Sequence, residues 1–582
     1  MRSQRVITIA YFLFLFVLCS AFFLRLPVLW DTDSYYHLAV ARLYTSDGLL
    51  ARIPWARMSL LSNGGNKDFL FHLLLVPFAS LPDAAIGGRI ALGFFNAAIG
   101  TVIALLAWRS IGKAALLVPI WLWLSAPLFF AREVRLRPEL LALLLLLLAI
   151  AAAAHRRYIL LGIIAFAFTE AYTAFHVLLG LCCFWFLVDR KPKLIAAPLL
   201  GIAAGLVVRP YPIENLRLWF VQNVLFFVQK SKLDVGAELR PARFPQDFYA
   251  SAAFIAGIVA LVLLAYRRRI EGNRDEVTRR LMWFTTITAV VFTILFLRML
   301  RMANYAYPLI ALAVLFAVAG RVRERSAAAV FAITALLALP VTFDADRMKF
   351  LSMAPQDVSE LDWSAFGRAV PANAKVAAHW SEAEAYAFWA PQGRYLNVLD
   401  PIFMAVPYPR EYDAQRRVFE GTDPDIPGTV SRILQSDYIA LDWTLASPRL
   451  VQRLRGDPRL ETVYGGYNVL FRVRTPRDVR FVTEWSSHPH GDGFVDVTTN
   501  GCTTLTHIET VSNRVRIHYE FAPWGPSTLS IDGKQVHATS TAQLAVLGHG
   551  ARIDVAFDPG THTIEVRTCR AGDRAGFYLV ER

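Results

Sequence analysis

Long apolar runs broken by short polar turns dominate the first part of the chain. Eleven of them read as membrane spans: 6–27, 84–108, 114–131, 138–154, 158–173, 174–188, 193–209, 249–266, 281–298, 302–320 and 326–343. A helix rising about 1.5 Å per residue needs about 20 residues to cross a hydrocarbon core of about 30 Å. Val6–Leu24, Ala114–Ala131 and Leu140–Ala154 carry no charge. The pair covering 158–188 is short, with Thr169, Glu170 and His176 marking the turn between its members.

Two large polar loops interrupt the spans. In the first, about 28–83, Leu38, Leu43 and Leu50 give Tyr35–Leu50 an amphipathic helical pattern. Asp68–Leu81 is a second apolar stretch, too short to span. The second loop, 210–248, runs from Pro210-Tyr211-Pro212 to Val235-Gly236-Ala237-Glu238-Leu239-Arg240-Pro241. Past Phe343 the pattern shortens. Val376–Ala378, Tyr438–Leu441 and Val469–Val473 read as strands, and Thr429–Gln435 and Pro448–Leu454 as helices, giving a small α/β domain over 344–474. From 475 to 582, alternating strands (Arg514–Phe521, Thr528–Ile531, Ile553–Phe557, Thr563–Arg567) with turns at Asp532-Gly533 and Asp558–Gly560 predict a β-sandwich. Its phrasing is similar to that of carbohydrate-binding jelly-roll modules.

Composition strengthens the membrane reading. The 582 residues are 55% hydrophobic, against about 45–50% for soluble chains, and the mean hydropathy is +0.40. The net charge of +14 would suit a nucleic-acid binder in a soluble protein, but here it lies largely in short loops. Arg2/Arg5, Arg109/Lys113, Arg156/Arg157, Arg190/Lys191/Lys193, the Arg267–Arg280 loop and Arg321/Arg323/Arg325 form one alternating set, as cytoplasmic loops do. A cytoplasmic N-terminus and eleven spans of a multi-pass inner membrane protein then put everything after Phe343 outside. The first run lacks a small-residue cleavage site before Trp30 and is expected to stay as a span. Cys19, Cys182 and Cys183 fall in spans. Cys502 and Cys569 are a natural disulfide pair if their region is extracytoplasmic.

Chemistry concentrates on the outer loops. Trp30-Asp31-Thr32-Asp33-Ser34-Tyr35-Tyr36-His37 follows the first span, at a membrane surface where two acids are costly to desolvate. Such acids call for a cation, a proton or a positive group, or else they cap a helix. Arg132, Arg135, Arg137, Arg298 and Arg301 break the charge rule on the outer side. Either they snorkel to the interface or they meet an anionic ligand.

Together these features resemble the GT-C glycosyltransferases, polytopic enzymes using lipid-linked sugars, and most of all the catalytic subunit of oligosaccharyltransferase with its bacterial and archaeal relatives. Asp33-Ser34-Tyr35-Tyr36-His37 is similar to their Asp-x-Tyr-Tyr-His signature. The resemblance implies a GT-C-like helical membrane domain over 1–343. It implies Asp33 as catalytic acid, Asp31 as a second carboxylate, and Tyr35, Tyr36 and His37 beside acceptor or substrate. Glu238 matches the Glu that ends a short loop motif and contacts the reacting centre. Arg298 and Arg301, with Arg135 and Arg137, would bind the donor phosphate. Mg²⁺ or Mn²⁺ would be held among Asp31, Asp33, Glu133 and Glu238, hard oxygen ligands. The second acidic motif departs from the family, since arginines lie between Glu133 and Glu139. The peptide-recognition block also departs: Trp380 stands alone in His379-Trp380-Ser381-Glu382-Ala383-Glu384.

The implied activity is inverting transfer of a sugar or oligosaccharide. The donor is a polyprenyl phosphate or diphosphate, and the acceptor an extracytoplasmic lipid, glycan or protein. Its partners are that donor, membrane lipid and the acceptor, with no nucleic acid and no obligate protein. The competing class is a transporter or flippase of lipid-linked glycans, which Glu170 and His176 would favour. A non-catalytic wall-binding scaffold would suit the sandwich but give the acidic loop no task.

Overall fold

The structure, a computed structural model, describes residues 2–49, 52–230, 233–234, 236–249, 251–267, 275–342, 360–443, 446–457, 459–474, 480–482, 485–486, 495–497, 501–540, 550–570 and 575–581. The domain limits expected near 343 and 475, much of the Arg267–Arg280 loop, and Val235 lie outside these residues. The chain forms two compact units. The first comprises 1–360, 383–391 and 397–407; the second comprises 361–382, 392–396 and 408–582.

The first unit is helical. It opens with α1 (Arg2–Phe23), α2 (Thr32–Asp47), α3 (Phe69–Ala79) and α4 (Ala84–Ile111). Among the described residues, Arg5–Phe23, Ala84–Ser125, Glu276–Arg298 and Leu300–Ala317 are long and apolar enough to cross a membrane. Two bent pairs raise the number to six if each is one span: Pro127–Glu133 with Pro138–Ala154, bent by 111°, and Lys193–Val208 with Pro212–Gln229, bent by 117°. Tyr158–Ala171, Phe175–Asp189 and Ala252–Tyr266 are apolar but shorter. A proline, Pro138 or Pro212, opens the helix after each break and cannot donate to the preceding turn.

Small residues let these helices approach closely. A methyl on Gly93 of α4 would meet the Ser20 hydroxyl of α1 at 2.2 Å, and one on Gly201 would meet the Gly162 carbonyl at 2.1 Å. Close backbone approach of this kind replaces the hydrophobic drive that lipid surroundings remove. On the outward side Leu200, Val207, Val208, Ile213 and Val228 are exposed. Apolar faces of this extent suit lipid contact.

In the second unit, β1 (Lys375–Ala377), β2 (Arg394–Tyr395), β3 (Tyr438–Asp442), β4 (Leu460–Gly465) and β5 (Asn468–Val473) form one sheet in the order β2-β1-β3-β5-β4. The β1 pairs are parallel, and the β5 pairs antiparallel. Among the described residues nine further strands follow: β6 (Arg480–Phe481), β7 (Val495–Val497), β8 (Cys502–Val511), β9 (Val515–Trp524), β10 (Ser527–Ile531), β11 (Lys534–Thr539), β12 (Ala551–Phe557), β13 (Gly560–Cys569) and β14 (Ala575–Glu581). One antiparallel sheet runs β11-β10-β13-β8, and the other β12-β9-β14-β6, with β7 beside β14. Leu505, Leu529, Ile564 and Val566 of the first share a core with Tyr519, Phe521, Phe577 and Leu579 of the second. Asp532 and Gly533 both take positive φ between β10 and β11, as a tight two-residue hairpin demands. Cys502 and Cys569 are disulfide-bonded across the β8–β13 pair.

Candidate functional site

The N-terminus of α2 anchors the site. Asp31 is its N-cap: its backbone is extended and its carboxylate accepts from the Ser34 amide at 3.1 Å and from the Ser34 hydroxyl. The capping alternative therefore holds for Asp31, and Asp31 also pairs with Arg137. Asp33 follows in the first turn of α2, where the positive end of the helix dipole favours an acid. The Ser34 hydroxyl in turn accepts the Leu136 amide at 3.0 Å, tying α2 to the break that carries the arginines.

That break joins Pro127–Glu133 to Pro138–Ala154 and projects Arg135 and Arg137, beside Arg132 from the last turn of the preceding helix. Arg137 reaches Asp31, Asp33 at 3.0 Å and Glu238 at 3.2 Å. Arg135 reaches Glu238 at 2.9 Å, and Arg132 reaches Glu238 and, at 3.5 Å, Glu139. A fourth, Arg301 from the turn Leu300–Met302, pairs with Glu139 and faces Glu238 at 3.8 Å. Four guanidinium groups thus converge on one carboxylate, that of Glu238 in the short turn Ala237–Leu239. Burial pushes this carboxyl up, but Arg132, Arg137, Arg301 and Arg135 outweigh burial and hold it well below its ordinary value.

Asp33 has a second partner. Glu384, from the helix Trp380–Trp389, shares a hydrogen bond with Asp33 and accepts from the Thr32 hydroxyl at 2.6 Å. Burial raises the Asp33 carboxyl, against Arg137 and the bond to Glu384, with Asp31 and Glu238 adding to the rise. Burial and then Asp33 raise Glu384 well above its ordinary value. Two carboxyls so close disfavour a charge on both, which pushes the pair toward sharing a proton. The Asp33 side chain keeps 20% of its surface exposed.

The remaining expected residues divide. Tyr35 is buried, accepts the Leu29 amide, donates to Glu360 at 3.0 Å and packs on Phe388 and Trp389. Tyr36 and His37 are buried behind the acids, against His72. Arg298 is exposed at the end of Glu276–Arg298, with no ion pair among the described residues. Trp380 belongs to the second unit, its ring 5.3 Å from that of His379. The carboxylate of Glu133 is buried with no hydrogen-bond partner, while its carbonyl accepts from Asn96. Glu384 is the residue that sequence reasoning passed over. The signal for it was a lone acid in the run Ala383-Glu384-Ala385-Tyr386-Ala387-Phe388.

Among the described residues the acids Asp31, Asp33, Glu133 and Glu238 do not form a group with metal-ligand spacing. Asp31 and Glu238 spend their oxygens on guanidinium and hydroxyl donors, and Asp33 on Arg137 and Glu384. What the cluster offers is a nest of guanidinium forks beside a pair of hydrogen-bonded carboxyls.

No protein-family model and no curated protein sequence matches the chain. Two solved structures of ArnT from Cupriavidus metallidurans, one in the apo state and one bound to undecaprenyl phosphate, are similar to it. Identities are 12% and 13%, with 80% of this chain and 99% of each ArnT chain covered and TM-scores of 0.48. At that level the likeness assigns this chain neither a fold nor an activity.

Proposed function

We propose that the chain is a membrane glycosyltransferase of the GT-C type. It would move a sugar or oligosaccharide from a polyprenyl-phosphate or -diphosphate donor to an extracytoplasmic lipid, glycan or protein, with inversion. The observation that carries this reading is the convergence of Arg132, Arg135, Arg137 and Arg301 on Glu238, with Arg137 also pairing with Asp33. Guanidinium forks match phosphate oxygens well, and their bonds to an anion are strong where water is scarce. A donor phosphate entering the cluster takes over the partners that Glu238 holds.

The reaction then needs only groups already gathered. The acceptor hydroxyl approaches the exposed edge of Asp33, which takes its proton as the oxygen attacks the anomeric carbon. The bond from that carbon to the phosphate oxygen breaks on the opposite face, and the electron pair leaves on the polyprenyl phosphate. The arginines stabilise the charge that develops there. Glu384 keeps Asp33 oriented and shares its proton between turnovers. The apolar outward helix faces suit a polyprenyl tail, and the Cys502–Cys569 bond suits an oxidising compartment.

The test is direct. Purified full-length protein in lipid nanodiscs is given a radiolabelled polyprenyl-phosphate sugar and a mixed glycolipid acceptor pool, and label leaving the donor is followed. Wild type is expected to consume the donor and Asp33→Asn to fail while inserting normally. Translocation of intact donor across vesicles without cleavage would instead establish a flippase. Donor consumption that persists in Asp33→Asn would remove the acid from the mechanism.

A further inference from the structure

Behind the acids, His37, Asp68 and His72 bring one ligand atom each within 4.8 Å of one another, and all three are buried. Among the described residues this is the one such group with metal-ligand spacing. The Asn66 side-chain oxygen accepts the Asp68 amide at 3.1 Å and lies 3.0 Å from His72 Nδ1. A backbone N–H can only donate, so that amide oxygen is fixed as an acceptor. His72 Nδ1 must then carry the hydrogen, and its Nε2 lone pair points at His37 Nδ1, 2.8 Å away. An oriented imidazole whose outer nitrogen is held by a second residue is how ligating histidines are usually set.

Asp68 supplies the second observation. It is wholly buried and neither oxygen makes a hydrogen bond, though Lys67 Nζ faces Oδ2 at 3.4 Å as an ion pair. Lys67 offsets part of the charge, but buried carboxylate oxygens without a hydrogen bond remain costly, and a bound cation would satisfy them. Asp400 and Glu139 add negative charge around Lys67, while Arg301 and Arg209 add positive charge around the Lys67–Asp68 pair.

From this geometry we infer that His37 Nδ1, His72 Nε2 and the two oxygens of Asp68 bind a zinc-class divalent metal. Two imidazoles and a carboxylate suit such an ion. Zinc–nitrogen bonds of about 2.0–2.1 Å set tetrahedral ligands about 3.3 Å apart, so the histidine rings need part by only about half an ångström. The metal clamps α2 to α3. His37 lies one helical turn after Asp33, so the clamp positions the acid and is no part of the chemical step.

Full-length protein purified without chelators, through a tag free of histidine, is analysed for metal by mass spectrometry. About one zinc-class ion per chain is expected in wild type and in Asp33→Asn, and none in Asp68→Asn or His72→Gln. Chelator-stripped wild type is expected to melt at lower temperature and to recover with Zn²⁺ but not Mg²⁺; Co²⁺ in its place is expected to give visible d–d bands. Should Asp68→Asn not fold, the stripped wild type carries the test alone. Wild type that holds no metal and neither gains stability nor binds Co²⁺ overturns the proposal. So does metal that survives in Asp68→Asn or is lost in Asp33→Asn. Failure of donor transfer with the metal present would touch only the proposed activity.

Discussion

Replacing Arg137 by glutamine removes the group on which the acidic side of the site depends. Arg137 is the guanidinium paired with Asp33, at 3.0 Å, and it also holds Asp31 and Glu238. At an effective dielectric of about 20, unit charges at that distance attract by about 5–6 kcal/mol. Desolvation offsets part of this, and breaking a buried pair costs about 3–5 kcal/mol because the surviving charge is stranded. Asp31 keeps its Ser34 donors, and Glu238 keeps Arg132 and Arg135. The stranded charge is therefore that of Asp33, already raised by burial. Its partial exposure favours the lower end of the range, about 3 kcal/mol, or a fall of roughly 10²-fold in kcat/KM. Arg137→Lys keeps a charge but loses the fork that spans three acids, and is expected to lie between. Initial transfer rates in nanodiscs from pH 5 to 9, with a thermal melt of each variant, make the measurement. Arg137→Gln with wild-type rates across that range and an intact fold would refute the role given to this pair.

Three further outcomes are expected. Burial raises both Asp33 and Glu384, so the stability their shared proton provides is complete at low pH and is lost as pH rises through the raised range. Glu384→Gln is expected to flatten that alkaline loss in thermal melts and to move the acid limb of the pH–rate profile downward, since Asp33 then ionises beside a neutral amide. An unmoved limb counts against the shared proton. Glu238→Gln removes the carboxylate that competes for the arginines, so donor KM is expected to fall; a rise in KM at unchanged kcat would deny that competition. Cys502→Ser opens a link spanning 67 residues of sequence. Chain entropy values such a link at about 4 kcal/mol, to be read as a lower melting temperature for the second unit, and an unchanged melt in reductant would show the bond to be idle.

Much of this protein was written in one dimension. Uncharged runs specify helices because backbone polar groups in lipid must be satisfied within the segment, and α2 and α3 lie where the loop pattern put them. Strands β1, β3, β5, β9, β10, β12 and β13 follow alternation and turn residues in the same way. The Asp31–His37 phrase marked the site because acids at a membrane surface are costly without partners. Span number was less legible: short apolar helices and breaks closed by proline at 134–138 and 209–212 blur where one crossing ends.

What the partners are was decided only in three dimensions. Arg137 and Asp31 are far apart in sequence, as are Glu238 and Arg132, and no local period encodes such meetings. Nor does any motif announce Glu384, whose neighbours are alanines, or the facing of His37 on His72. Sequence sets which groups must find compensation for burial; packing of the helices chooses the group that supplies it, because charge energies fall off with distance through space and take no account of separation along the chain.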